Sequence, residues 1–208
     1  MRAGPLASIL AAMAATSGCM VAIPPTRLEL GAGASAGAAR GAEVPTSNVG
    51  TVRASLAPLQ LVTSLRERTF DFGVGYMLDR DLRGQTEPAG VSLQGAFLEA
   101  GGLAVLDRSG ERVVSLGARG QGRVLVDQAG RVGPGMALQL STEIVGFADG
   151  TFSGSGSRGF IAGAAYGEGS IGLYAEGAYG SIDGRGLYTM TGGLVWRLPA
   201  TLAFGVGF

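Results

Sequence analysis

No histidine and no lysine occur anywhere in the 208 residues, and there is a single cysteine. The missing histidine removes the commonest general base and the commonest metal ligand together. One cysteine excludes an intramolecular disulfide framework and any multi-cysteine metal site. No metal and no other cofactor is therefore expected. Charge is scarce too: 15 % of residues are charged, against about 25 % in an ordinary soluble domain. Sixteen arginines balance sixteen acids to a net charge of zero. That leaves no field to attract nucleic acid, and none is expected as a partner. Long apolar runs are also missing. Beyond the N-terminal segment the longest uncharged stretch is residues 54–65, twelve in all, short of the ~18–20 that a membrane helix needs.

Glycine, by contrast, is abundant at 38 residues. Disorder requires low hydrophobicity and high net charge, and both are reversed here, with a mean hydropathy of +0.31. The glycines therefore belong in ordered structure, and closely packed, curving strands tolerate them best.

The first eighteen residues read as an export signal. Met1-Arg2 gives a short positive start, residues 3–15 are apolar apart from Ser8, and Thr16-Ser17-Gly18 ends the segment on small residues. This is the pattern of a signal peptide. Ser17-Gly18-Cys19 resembles the lipobox of bacterial lipoproteins, which implies that Cys19 becomes the lipidated first residue of the mature chain. Thr16 stands where that family usually has leucine, so cleavage near Ala12–Ala15 is the alternative. Residues 19–25, with Pro24-Pro25, read as a stiff linker, and residues 26–208 as one β-domain.

In that domain uncharged runs recur at the length of a membrane strand. Residues 88–98, 132–142, 186–196 and 198–208 each span eleven residues, and a transmembrane strand needs about 9–11. Their period is two. Phe70, Phe72, Val74, Tyr76 and Leu78 alternate with Thr69, Asp71, Gly73 and Gly75. Met136, Leu138, Leu140 and Ile144 alternate with Gln139, Ser141 and Glu143, and Tyr188, Met190, Leu194 and Trp196 with Thr189, Thr191, Gly193 and Arg197. Such alternation puts one set of side chains on each face of a sheet. Turn signals fall between the runs: Asp107-Arg108-Ser109-Gly110, Asp127-Gln128-Ala129-Gly130, Asp149-Gly150, Asp183-Gly184 and Pro199-Ala200. The expected fold is all-β, an antiparallel up-and-down transmembrane barrel. Its ten strands are placed at 26–38, 50–64, 68–79, 90–106, 112–126, 134–147, 159–168, 170–182, 186–198 and 201–208; eight is the neighbouring even count.

The faces point the same way. One parity is glycine, serine or paired charge, which suits the narrow interior of a small barrel. Tyr188 and Trp196 share the other parity, separated by roughly 20 Å across a tilted strand, the spacing of two aromatic girdles. The chain ends Leu202-x-Phe204-x-Val206-x-Phe208, which resembles the C-terminal signal of bacterial outer-membrane β-barrels. That resemblance, to the class of small outer-membrane barrels over residues 26–208, implies outer-membrane lipid as surroundings and the barrel assembly machinery as a partner in biogenesis.

The polar parity also supplies the candidate site. Asp71, Arg119, Arg123, Glu143, Glu176 and Arg197 are expected to line the lumen, either as a charged path for small solutes or as a salt-bridge network that fills it. Unpaired charges in a low-dielectric interior are costly, so pairing is favoured. No catalytic residues are expected, because nothing aligns a carboxylate pair such as Asp71 and Glu143 with a nucleophile. Gly73-Val74-Gly75 and Gly205-Val206-Gly207 lie within strands and are not phosphate loops. Ser153-Gly154-Ser155-Gly156-Ser157 reads as a flexible loop, and Arg66-Glu67-Arg68 as a solvated turn. The function expected is a structural or assembly role in the envelope, or a narrow, largely plugged pore. The alternative is a soluble β-sandwich or calycin-like lipoprotein binding a ligand or partner at the membrane surface.

Overall fold

The computed structural model describes residues 19–39, 42–61, 69–82, 92–109, 112–147, 150–156, 159–166 and 168–206. Twelve strands account for nearly all of them: β1 (Cys19–Ile23), β2 (Thr26–Ala39), β3 (Ala42–Leu56), β4 (Phe70–Asp81), β5 (Leu93–Ser109), β6 (Arg112–Asp127), β7 (Val132–Phe147), β8 (Gly150–Gly156), β9 (Gly159–Tyr166), β10 (Glu168–Ile182), β11 (Arg185–Leu198) and β12 (Ala200–Val206). Eight of these close into an antiparallel barrel in the order β10-β11-β2-β3-β4-β5-β6-β7, with β7 pairing back onto β10. Closure leaves no edge, so every strand of the wall has a ladder on both sides.

The barrel has eight strands, not ten. Two expected wall strands, 159–168 and 201–208, instead form β9 and β12 of a separate four-stranded sheet in the order β1-β12-β9-β8. The reason lies in the pairing. β11 gives one edge to β10 and the other to β2, from Leu198↔Thr26 to Gly186↔Ala38, so β12 has no wall edge left to join. The other two strands of the small sheet fall where no strand was expected. Residues 19–23, read as part of a linker, pair with residues 201–205 of β12. Residues 150–156, which include most of the serine–glycine run, pair with β9.

Local chemistry explains the boundaries. β3 runs Ala42–Leu56, earlier than the expected 50–64, and gives way to a short 3-10 turn at Pro58–Leu61. Pro58 brings no N–H for the ladder, and the last donor before it, Ala57 N, bonds Pro25 O at 3.0 Å. Asp183 and Gly184 join β10 to β11 with φ of 52° and 71°, the two positive values that a tight hairpin needs. Between β6 and β7, Gly130 takes φ 77° and donates to Asp127 O at 3.0 Å. Arg66-Glu67-Arg68, the expected signal peptide and Phe208 lie outside the described residues.

The glycines permit close winding of the wall. A Cβ on Gly33 would sit 1.8 Å from Met190 O, and one on Gly172 would sit 1.9 Å from Thr142 O. Both glycines face the lumen.

Candidate functional site

The wall of this barrel is apolar outside and charged inside. Along β4 the outward residues Phe70, Phe72, Val74, Tyr76 and Leu78 are exposed, while Asp71, Met77 and Asp79 are buried. On β7 Leu138 is 62 % exposed and Gln139 1 %. Among the described residues, outward positions on the eight wall strands are uncharged between Asp107 of β5 toward one mouth and Arg80 of β4 toward the other. Over Phe70–Leu78, and allowing for strand tilt, that belt is about 20 Å tall. Trp196 and Tyr188 are both exposed on the outside of β11, and the Tyr188 ring lies 4.9 Å from that of Tyr179.

Inside, the six polar residues read from the sequence meet in one network. Arg197 Nε donates to Glu143 Oε2 at 2.6 Å, and its Nη1 to Asp71 Oδ2 at 2.8 Å. Arg119 Nη2 donates to the same Asp71 oxygen at 3.5 Å, while its Nη1 lies 3.6 Å from Glu143 Oε1. Further along, Arg123 Nη2 lies 2.6 Å from Glu176 Oε2. Alternation along β6, β7, β10 and β11 puts these side chains on one face, and closure turns that face inward.

Four charged members were not singled out from the sequence. Arg27 and Glu29 of β2 pair at 2.6 Å. Arg53 of β3 donates from Nη2 to Glu176 Oε1 at 2.7 Å and from Nη1 to Glu29 Oε2 at 3.3 Å. Glu99 of β5 accepts from Arg27 at 3.3 Å and from Ser55 Oγ at 2.7 Å. Two glutamines splice the pairs: Gln139 accepts from Arg27 and donates to Glu29, each at 2.8 Å, and Gln121 Nε2 donates to Glu99 at 3.2 Å. The signal was present in Arg27-Leu28-Glu29-Leu30, where charge and leucine alternate as in the other wall strands. Five arginines thus meet five carboxylates (Glu29, Asp71, Glu99, Glu143, Glu176), as burial of charge demands.

Apolar side chains flank this network within the same lumen. Met77, Leu93, Phe97, Leu125 and Ile182 pack together with Leu187 toward the mouth that carries the Asp127–Arg131 and Asp183–Gly184 turns. Leu103, Val113 and Val145 pack with Val105 toward the mouth from which the second sheet leaves. These clusters occupy the parity read from the sequence as small or polar. The interior is therefore a layered core, greasy at both ends and ionic in the middle. Among the described residues no group of three or more acids, cysteines or histidines is placed to hold a metal ion.

No protein-family model and no curated protein matches the chain. Among solved structures it is similar to Neisserial surface protein A (NspA), at 10 % identity over 82 % of this chain and 95 % of that one, with a TM-score of 0.37. It is also similar to the outer membrane protease OmpT from Escherichia coli, at 10 % identity over 90 % and 98 % of the two chains, with a TM-score of 0.22. At such scores neither likeness bears on what this chain does.

Proposed function

We propose that this protein is a bacterial outer-membrane β-barrel whose lumen is plugged, and that it serves the envelope as a structural or assembly component without catalysis. One observation carries the reading. Fully outward side chains such as Leu138, Leu140, Ile144, Leu173 and Met190 form a charge-free belt around a wall whose mid-height charges turn inward. Monomeric soluble proteins rarely expose contiguous apolar surface beyond a few hundred Å². In lipid the belt is solvated, and the closed ladder satisfies the backbone groups that water cannot reach. A calycin-like protein in water would reverse the two faces.

Plugging follows from the same interior. Five guanidiniums locked to five carboxylates leave no mobile charge to line a path, and the apolar clusters toward the two mouths exclude hydrated ions. Acylation at Cys19 belongs to the same proposal, with Cys19 at the start of β1 just ahead of the wall.

The test uses the full chain with Cys19→Ala, which removes the acyl anchor. A membrane-embedded barrel stays in the pellet after carbonate extraction and migrates differently on cold and boiled SDS gels. Release into the supernatant would reject the membrane reading. Planar-bilayer recordings of the refolded protein should show no discrete conductance steps, and such steps would reject the plug.

A further inference from the structure

The lumen holds a carboxylate beyond the five that its arginines pair. Asp79 of β4 is 2 % exposed, its Oδ1 has no hydrogen-bond partner, and among the described residues no arginine lies within ion-pair reach of it. The cation on which it acts at longer range is Arg53, whose terminal nitrogens are already held by Glu29 and Glu176. Thr51 of β3 stands directly opposite Asp79 in the ladder, so their Cβ atoms start about 4.5–5.5 Å apart on one face. The Thr51 hydroxyl is buried and also has no partner. A third such oxygen, the Tyr174 hydroxyl, reaches in from β10. It lies 2.3 Å from where a Cβ on Gly31 would stand, and Gly31 is the opposite neighbour of Thr51 on its other side. Tyr174 also feels the Asp79 charge.

Three buried oxygens from three strands thus lie along one rung of the wall, Gly31–Thr51–Asp79, without bonding one another. Leaving a buried carboxylate oxygen without a partner is expensive. One atom set among the three would satisfy all of them, and a positive one would balance the Asp79 carboxylate. We propose that Thr51, Asp79 and Tyr174 form a binding site for a small monovalent cation of sodium size. A carboxylate, a hydroxyl and a phenol are hard oxygen donors, which suit a hard cation. They bring one formal negative charge, which matches one positive charge rather than two. The site borders the apolar cluster, since Asp79 is opposite Leu93 on β5, and in that low-dielectric surrounding a compensating charge counts most. Only the lumen is involved, so the inference stands whichever solvent surrounds the wall.

The experiment is thermal unfolding of the full chain, refolded in detergent, in sodium chloride and in choline chloride at matched ionic strength. Choline is too bulky for a site framed by three side chains. Binding to the folded state raises the midpoint by mass action, so the midpoint should rise with sodium concentration and not with choline. Asp79→Asn should abolish the difference, and Thr51→Val and Tyr174→Phe should shrink it. Equal midpoints in the two salts for the native chain would overturn the proposal, as would a sodium increment that survives in Asp79→Asn. If Asp79→Asn does not fold, the near-isosteric Thr51→Val decides, and an undiminished increment there overturns it. An infrared band of a protonated carboxyl that vanishes in Asp79→Asn would assign the missing charge to a proton and also overturn it.

Discussion

Arg197 of β11 and Glu143 of β7 are joined through Nε to Oε2 at 2.6 Å and Nη2 to Oε1 at 3.4 Å, a two-point contact across the barrel interior with β10 between their strands. Arg197 also holds Asp71 at 2.8 Å, so one guanidinium pins strands on different sides of the lumen. Replacing it with methionine leaves two buried carboxylates short of their cation. Breaking a buried pair from one side costs about 3–5 kcal/mol. Arg197→Met should therefore lower the denaturant midpoint of the refolded protein sharply, whereas Arg185→Met, exposed at the start of β11, should leave it nearly unchanged.

Close winding gives a second expectation. Gly172→Ala forces a methyl group to within 1.9 Å of a neighbouring carbonyl oxygen. Overpacking of this kind costs about 1–3 kcal/mol. Gly177→Ala, on the outside with nothing within 4 Å, should be neutral. Unfolding of the two variants side by side reads the contrast directly.

A third expectation concerns the belt. Leu138→Arg puts a cation at mid-height of the outer wall. In a bilayer it should cost about 2–4 kcal/mol, as lipid-facing arginines do near the midplane. Urea titration in lipid vesicles measures it; a cost near zero would mean that water covers this face.

The fourth is a pH dependence. Asp127 Oδ1 accepts from Ala129 N and Arg131 N at 2.9 Å each, and its Oδ2 from Arg131 Nε at 2.8 Å. The side-chain bond from Arg131, then its backbone bond, hold this turn carboxyl below the usual carboxylate range. A lowered folded-state pKa stabilises above the unfolded value and loses that contribution as pH falls through the folded one. The amide protection factors at Ala129 and Arg131, exchange relative to the unstructured rate at the same pH, should therefore be flat near neutrality and fall in acid, below about pH 4. In Asp127→Asn the acid-induced step should disappear.

Much of the wall was legible because a buried-or-exposed alternation survives in sequence whichever solvent lies outside. Phe70 through Leu78 could be placed on one face from period alone, as could the inward turn of Arg119, Arg123 and Glu143. Strand pairing was not legible. Leu202-Ala203-Phe204 alternates as well as any wall segment, and only the long-range competition for the edges of β11 excludes β12. The lumen-facing cluster of Met77, Leu93, Phe97 and Leu125 was hidden for a different reason. These residues share their parity with glycines and charges, and their meeting depends on how strands are staggered around the closure, a property of no single segment. Tyr174 of β10 is brought beside the Thr51–Asp79 pair of β3 and β4 in the same way, from far along the chain.

The central claim is that the outer face of the wall meets lipid, and the single tryptophan reports on it without any substitution. Trp196 stands on the outside of β11, 56 % exposed. When the protein is reconstituted in vesicles of brominated phospholipid, its fluorescence should be strongly quenched, more by bromines near the headgroups than by those near the chain ends, and aqueous acrylamide should have little effect. Emission quenched by acrylamide and indifferent to brominated lipid would contradict the account.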